Sequence, residues 1–178
     1  MAKLRVALVF GGRSSEHEIS CVTAGGVLGA IDRDKFEVVP IGITKDGVFV
    51  PAEDDTEKWS LNKEKLPTVE FAGETLTWLP NREFAVNGVT KGKIDVVFPV
   101  LHGPFGEDGT IQGFFELLDL PYVGNGVLAS AAGMDKEFTK ALLQAAGVPV
   151  TPHVVIRKNK WLRDPESALE AVRNLGPL

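Results

Sequence analysis

Apolar positions along the chain follow two alternating rhythms, one of strands and one of helices. Residues 4–10 form a nearly unbroken apolar run, the pattern of a strand buried on both faces, which stops at Gly11-Gly12. Residues 16–31 then place Ile19, Val22, Val27, Leu28 and Ile31 at helical spacing. Phe36–Ile43 is a second apolar run, and Asp46-Gly47 is a turn signal ahead of Val48-Phe49-Val50. Residues 51–68 are polar and read as a surface excursion. Alternation from Val69 to Val89, with Asn87-Gly88 inside it, predicts an antiparallel hairpin inserted at a sheet edge. Residues 94–101 predict another buried strand, followed by a glycine-rich loop and a helix over 110–119. Pro121–Val123 reads as a short strand, and helices follow near 125–132 and 135–146.

A second unit starts there. Gly147–Pro152 resembles a linker into a strand over His153–Arg157, and Pro165 opens a helix that runs to Asn174. Leu175-Gly176-Pro177-Leu178 lies just past a glycine C-cap. A lone strand and helix cannot bury both faces, so this end reads as unfinished. The predicted class is α/β: an open, mainly parallel sheet flanked by helices, plus the start of another domain.

Composition narrows the function. With 178 residues, the chain can build one substantial core, or one domain and part of another. Hydrophobic residues at 44% and charged residues at 24% are ordinary for a soluble globular protein. A net charge of −5 argues against nucleic acid or an anionic membrane as the main partner. The apolar runs are strand-sized, too short to span a bilayer, and Met1-Ala2-Lys3-Leu4-Arg5 leaves no room for a signal peptide. The single Cys21 excludes an internal disulfide and favours a cytoplasmic location. His17, His102 and His153 are too scattered for a zinc site.

Three loops carry candidate chemistry. At the first, a strand, a Gly11-Gly12 turn and a helix start present free backbone N–H groups, but the neighbouring acids disfavour a phosphate. Ser15-Glu16-His17-Glu18 fits a capping box, with Ser15 as N-cap and Glu18 at N3. That leaves Glu16 either as a helix-dipole acid or as the carboxylate for a cationic group such as a substrate amine. His17 reads as a surface or packing residue. In the second loop, Leu101–Thr110, His102 stands at a strand's carboxyl end, where open α/β sheets bind ligands, and Asp108 or Thr110 is placed to cap the next helix. Its glycines could equally serve left-handed turns alone.

The third loop, Gly124-Asn125-Gly126-Val127-Leu128-Ala129, matches G-x-G-x-x-A. It sits in the wrong strand–helix unit and lacks the acid about 20 positions downstream that a ribose needs, so dinucleotide binding is rejected and Asn125 reads as a helix cap. Lys136 and Lys140 lie four apart, opposite Phe138, Ala141, Leu142 and Ala145; a solvated face and a phosphate contact both stay open. There is no G-x-S-x-G elbow or P-loop, which removes the serine hydrolases and P-loop kinases. In a parallel sheet, the loops 11–18, 102–109 and 124–126 gather at one edge and line one crevice.

Together these segments resemble the N-terminal part of the D-alanine–D-alanine ligases, ATP-grasp enzymes of bacterial peptidoglycan synthesis. The resemblance runs along essentially the whole chain. It rests on Val9–Ser20, Leu101–Gly113, Pro121–Val127, Met134-Asp135-Lys136 and Ala146–Val150. It implies a Rossmann-like, substrate-binding pre-ATP-grasp domain over 1–133. Residues 134–178 would then be the truncated start of the ATP-grasp central domain, its first strand and helix.

The resemblance also implies roles. Glu16 would be catalytic, holding the ammonium of the first D-alanine and anchoring a serine and a tyrosine farther along. Ile19 would lie against that substrate's methyl group, His102 near the same substrate, and Lys136 would reach the ATP phosphates. The cofactor set would be ATP as substrate with Mg2+ (or Mn2+). The metal ligands, adenine pocket and remaining ATP-grasp strands are expected beyond Leu178. The chain would thus be a fragment of a homodimeric cytoplasmic ligase, inactive alone. Alternatives are a D-alanine–D-lactate or D-alanine–D-serine ligase, and a non-catalytic small-molecule-binding domain.

Overall fold

In the computed structural model, which describes residues 2–61 and 65–176, strand β1 (Leu4–Gly11) is the axis of the fold. It pairs in parallel with β2 (Phe36–Ile43) on one side and β7 (Val96–Pro99) on the other, so that Val6 faces both Val38 and Val96. A short β3 (Phe49–Pro51) adds antiparallel to β2, giving the order β3-β2-β1-β7. Beyond β7, the predicted strand at Pro121–Val123 is reduced to one parallel bridge, Val97 to Tyr122.

Successive side chains of β1 point to opposite faces. Ala7 and Val9 join a core with Ile41, Val97 and the helix α2 (Thr110–Leu117) residues Ile111 and Phe115. Leu8 and Phe10 enter a second core with Cys21, Ala24 and Leu28 of helix α1 (His17–Ala30). Cover on both faces is why β1 is apolar from Val6 to Phe10 rather than alternating.

The structure corrects several expectations. The region read as one edge hairpin is a separate antiparallel sheet of β4 (Leu76–Trp78), β5 (Glu83–Val86) and β6 (Val89–Lys93). Asn87-Gly88 does turn β5 into β6, with φ of 48° and 79°, the left-handed pair that a two-residue hairpin requires. The expected strand over 94–101 is assigned only at Val96–Pro99, though Asp95 N–H to Arg5 O and Val100 N–H to Val9 O continue its pairing. Residues 51–68 are not simply a surface excursion: Trp59 is buried, edge-on to Phe10 at 4.8 Å. Residues 62–64 of that stretch, like Pro177 and Leu178, lie outside the described residues. Helix α1 buries His17, Ser20, Cys21, Ala24, Gly25 and Leu28, so of the predicted apolar face only Leu28 is fully inward, and Ile19 is 49% exposed.

The chain divides into two compact units, Met1–Met134 and Asp135–Leu178. The first closes with α3 (Val127–Met134). The second contains α4 (Lys136–Ala145), α5 (Lys158–Arg163) and α6 (Pro165–Arg173). The strand expected at His153–Arg157 is absent. A strand needs a neighbour for its N–H and C=O groups, and none is present among the described residues of this unit. Arg157 instead donates from Nη2 to both carboxylate oxygens of Glu137 of α4, at 2.6 and 2.8 Å. Side chains cap two of the helices: Asp135 accepts from Glu137 and Phe138 N–H at α4, and Asp164 from Ser167 N–H at α6.

Candidate functional site

The site is built where β1 and β7 end. Gly11 and Gly12 have φ of 88° and 92°, and a Cβ on Gly11 would collide with the Ile43 carbonyl. The turn is held from below. Ser20 Oγ accepts from Gly11 N–H at 2.8 Å and donates to Val100 O at 2.7 Å, joining β1, α1 and the end of β7. His17, fully buried, spans the same turn: Nδ1 lies 2.7 Å from Gly12 O, and Nε2 accepts from Val69 N–H at 3.0 Å.

The expected capping box does not form. Helix α1 begins at His17 with Glu16 as N-cap residue, and Ser14, not Ser15, uses its hydroxyl locally, accepting from Glu16 N–H at 2.8 Å. Glu18 instead pairs with Lys45, whose ammonium holds that carboxyl below its ordinary value. Drawing His17 inward sets the first residue of the helix and moves the cap by one position.

The second loop is closed on itself. Gly103 O accepts from Gly106 and Glu107 N–H, and Glu107 Oε2 accepts from Gly103 N–H at 2.6 Å. Asp108 accepts from Phe105 N–H at 2.9 Å and Thr110 N–H at 3.0 Å. Burial acts to raise the Asp108 carboxyl, but those N–H groups and the Thr110 hydroxyl outweigh it and leave it below the ordinary value. As expected, Asp108 therefore anchors the start of α2, although Gly109 occupies the N-cap position itself.

The two loops meet at Glu16. A Cβ on Gly103 would stand 3.1 Å from both Glu16 Oε1 and Ser14 Oγ, so the missing side chain leaves room for the exposed carboxylate. His102 approaches α1 two turns farther on, with Nε2 3.0 Å from Thr23 Oγ1, while Thr23 also donates to Ile19 O at 2.9 Å. Glu16, Ile19 and Thr23 are spaced three and four residues apart, one face of the helix start. Of the sequence-predicted residues, the structure thus brings Glu16, Ile19 and His102 to one place. Ser14, Thr23 and Gly103 were missed; the helical spacing from Glu16 was the signal that would have found Thr23.

Beside this cluster lies a largely apolar cavity of about 180 Å³, and His102 lines it. Gly12, Arg13, Leu101, Phe105 and Ile111 are further walls, and the Arg13 guanidinium sits 5.2 Å above the Phe105 ring. The loop at 124–126, expected as a third wall, is not among the lining residues; Ile43, Gly47 and Phe49 contribute instead. Its strand is only a single bridge outside β7, at the far side of the sheet from β2. Lys136 is the first residue of α4, exposed, in the second unit. Among the described residues, no group of three or more His, Cys, Asp or Glu could hold a metal ion, and no helix is long and apolar enough to cross a membrane.

Comparison with known proteins agrees with this architecture. The family model of the D-Ala D-Ala ligase N-terminus matches residues 5–125. A D-alanine–D-alanine ligase of Arthrobacter sp. (strain FB24) is 53% identical over 183 residues, covering 98% of this chain and 48% of that protein. One of Nocardia farcinica is 56% identical over 162 residues, covering 87% and 45%. Among solved structures, the D-alanine-D-alanine ligase of Coxiella burnetii matches with a TM-score of 0.78 at 30% identity, covering 97% of this chain and 50% of its own. The VanG D-Ala:D-Ser ligase of Enterococcus faecalis matches with a TM-score of 0.74 at 34% identity, covering 97% and 49%. The chain therefore spans about half the length of the relatives it matches. By its motifs, its sheet and this match over residues 5–125, the chain belongs to the D-Ala D-Ala ligase N-terminus family.

Proposed function

We propose that this chain forms the first-substrate half of an ATP-dependent ligase that joins two D-alanines for peptidoglycan synthesis. The observation that carries the reading is the Glu16 carboxylate, set at the contact of two glycine-turned loops with Ile19 and His102 beside it. An acid there, next to an exposed aliphatic side chain, suits a small amino acid: Glu16 holds the ammonium and Ile19 meets the methyl group. Buried Ser20 and His17 fix the loop beneath, so the carboxylate is pre-positioned.

The reaction class is acyl phosphate formation followed by aminolysis. The carboxylate of the first D-alanine attacks the γ-phosphorus of ATP and releases ADP. The amine of the second then attacks the acyl phosphate, expelling inorganic phosphate and forming the peptide bond. This chain contributes the ammonium contact and, through Lys136, a cation for the ATP phosphates. Magnesium, when bound, neutralises phosphoryl charge; the described residues offer no cluster for it. The reading implies a cytoplasmic homodimer completed by residues outside this chain, with residues 1–133 as the substrate domain and 134–178 as the start of the ATP-grasp domain. The likeness to a D-Ala:D-Ser ligase keeps the second substrate as the variable part, resolved by comparing D-alanine, D-serine and D-lactate as acceptors.

The test is ADP release with D-alanine by the full-length ligase carrying this chain. Losing one charge-assisted contact in Glu16→Gln should raise the KM for the first D-alanine roughly 10- to 100-fold. An unchanged KM would overturn the assignment. The 178-residue chain alone should release no ADP, and turnover by it would refute its role as one part of a larger site.

A further inference from the structure

Thr23 has no part in the reading above, yet it is the only hydrogen-bonding partner of the His102 ring among the described residues. Its Oγ1 lies 2.9 Å from Ile19 O and 3.0 Å from His102 Nε2. A hydroxyl has one proton. With that proton directed to the Ile19 carbonyl, Thr23 makes the back-bond that threonine commonly makes four residues down a helix. An oxygen lone pair then faces His102 Nε2, and the contact is a hydrogen bond only if that nitrogen carries hydrogen.

We infer that Thr23 is a positioning residue that holds His102 as the Nε2–H tautomer, leaving Nδ1 as the ring's acceptor. The inference rests on His102 standing at the substrate site and sharpens what that site selects. In that tautomer Nδ1 presents an acceptor, as does the Glu16 carboxylate, so the pair suits a group rich in donors, an ammonium, and not a carboxylate or phosphate. His17 provides an opposite reference in the same helix. Val69 N–H can only donate and Gly12 O can only accept, which makes His17 the Nδ1–H tautomer.

Long-range proton–nitrogen NMR of the 15N-labelled 178-residue chain, at about pH 8.5 and so well above the ordinary imidazole value, reads both rings directly. His102 should appear as Nε2–H and His17 as Nδ1–H. Thr23→Val should convert His102 to a tautomer mixture without moving His17, and Thr23→Ser should restore the wild-type pattern. In the full-length ligase, Thr23→Val should raise the first D-alanine KM about 2- to 12-fold, the equivalent of one neutral hydrogen bond, with little change in kcat. A wild-type His102 found as Nδ1–H, or a His102 spectrum unmoved in Thr23→Val, overturns the tautomer assignment; an unmoved KM overturns the positioning role. The spectra need no substrate, so failure of the D-alanine reading leaves them intact and shows instead as an unchanged KM in Glu16→Gln.

Discussion

His17, like Ser20, is a buried side chain that holds the glycine turn through two hydrogen bonds. Its two nitrogens satisfy a carbonyl of the glycine turn and an amide 52 positions away, both at a site with no solvent exposure. Replacing it with phenylalanine keeps much of the volume but orphans both backbone groups, each worth about 1–3 kcal/mol when buried. His17→Phe should therefore lower the unfolding free energy by roughly 2–6 kcal/mol, measured by urea denaturation. A loss below about 0.5 kcal/mol, the range of ordinary surface changes, would show that the bridge is not holding the turn. The sequence already marked Gly11-Gly12 as a close backbone approach and Glu16 as an acid left over from capping. What it could not show was the partner at Val69, because nothing local to Ser15-Glu16-His17-Glu18 encodes it. The cap was misread for the same reason: the pull on His17 from Val69 and the capture of Glu18 by Lys45 both come from distant chain.

At the scale of elements, α1 departs from an amphipathic pattern because its inner face is chosen by small size. A Cβ on Gly25 would stand 2.6 Å from the Trp59 carbonyl, whereas one on neighbouring Gly26 would meet nothing within 4 Å. Glycine-to-alanine changes in a helix gain about 1 kcal/mol from propensity. Gly26→Ala should therefore raise stability by about 0.5–1 kcal/mol, while Gly25→Ala must push the Trp59 backbone away and should lose about 1–3 kcal/mol net. Equal effects of the two changes in thermal denaturation would contradict the tight approach. Helical periodicity found the helix and not its buried face, since Ile19 and Val22 obey the period while Gly25 and Ser20 occupy the interior. The strands of the main sheet were legible because cover on both faces makes β1 apolar from Val6 to Phe10 and β2 apolar from Val38 to Ile43. The tract at His153–Arg157 has similar apolar residues without a pairing partner, and composition alone cannot supply one.

For the molecule as a whole, stability must depend on pH from both sides. On the acid side, Glu18 is held below its ordinary value by Lys45, and Asp108 by N–H donors that outweigh burial. A carboxyl lowered on folding contributes stability present above its unfolded value and lost as pH falls through the folded one. Asp32 is lowered as well, by Lys35, but is fully exposed and adds little. On the alkaline side, burial pushes the Cys21 thiol up to about 12. A thiol raised on folding contributes stability that is complete below its unfolded value and lost as pH climbs from there towards the folded one. The carboxyls and the thiol should thus make the unfolding free energy decline below about pH 4 as the unfolded carboxylates protonate, and decline again above about pH 8.5 as the unfolded thiol ionises. Cys21, the chain's single cysteine, leads the alkaline limb, because Tyr122, also raised by burial and by Glu116, starts to ionise only at higher pH. Cys21→Ala costs packing at every pH but removes that thiol's share of the alkaline slope. A Cys21→Ala curve parallel to wild type across pH 8–10, by denaturant titration, would show that the thiol ionises as readily folded as unfolded and that the core around α1 is open to water.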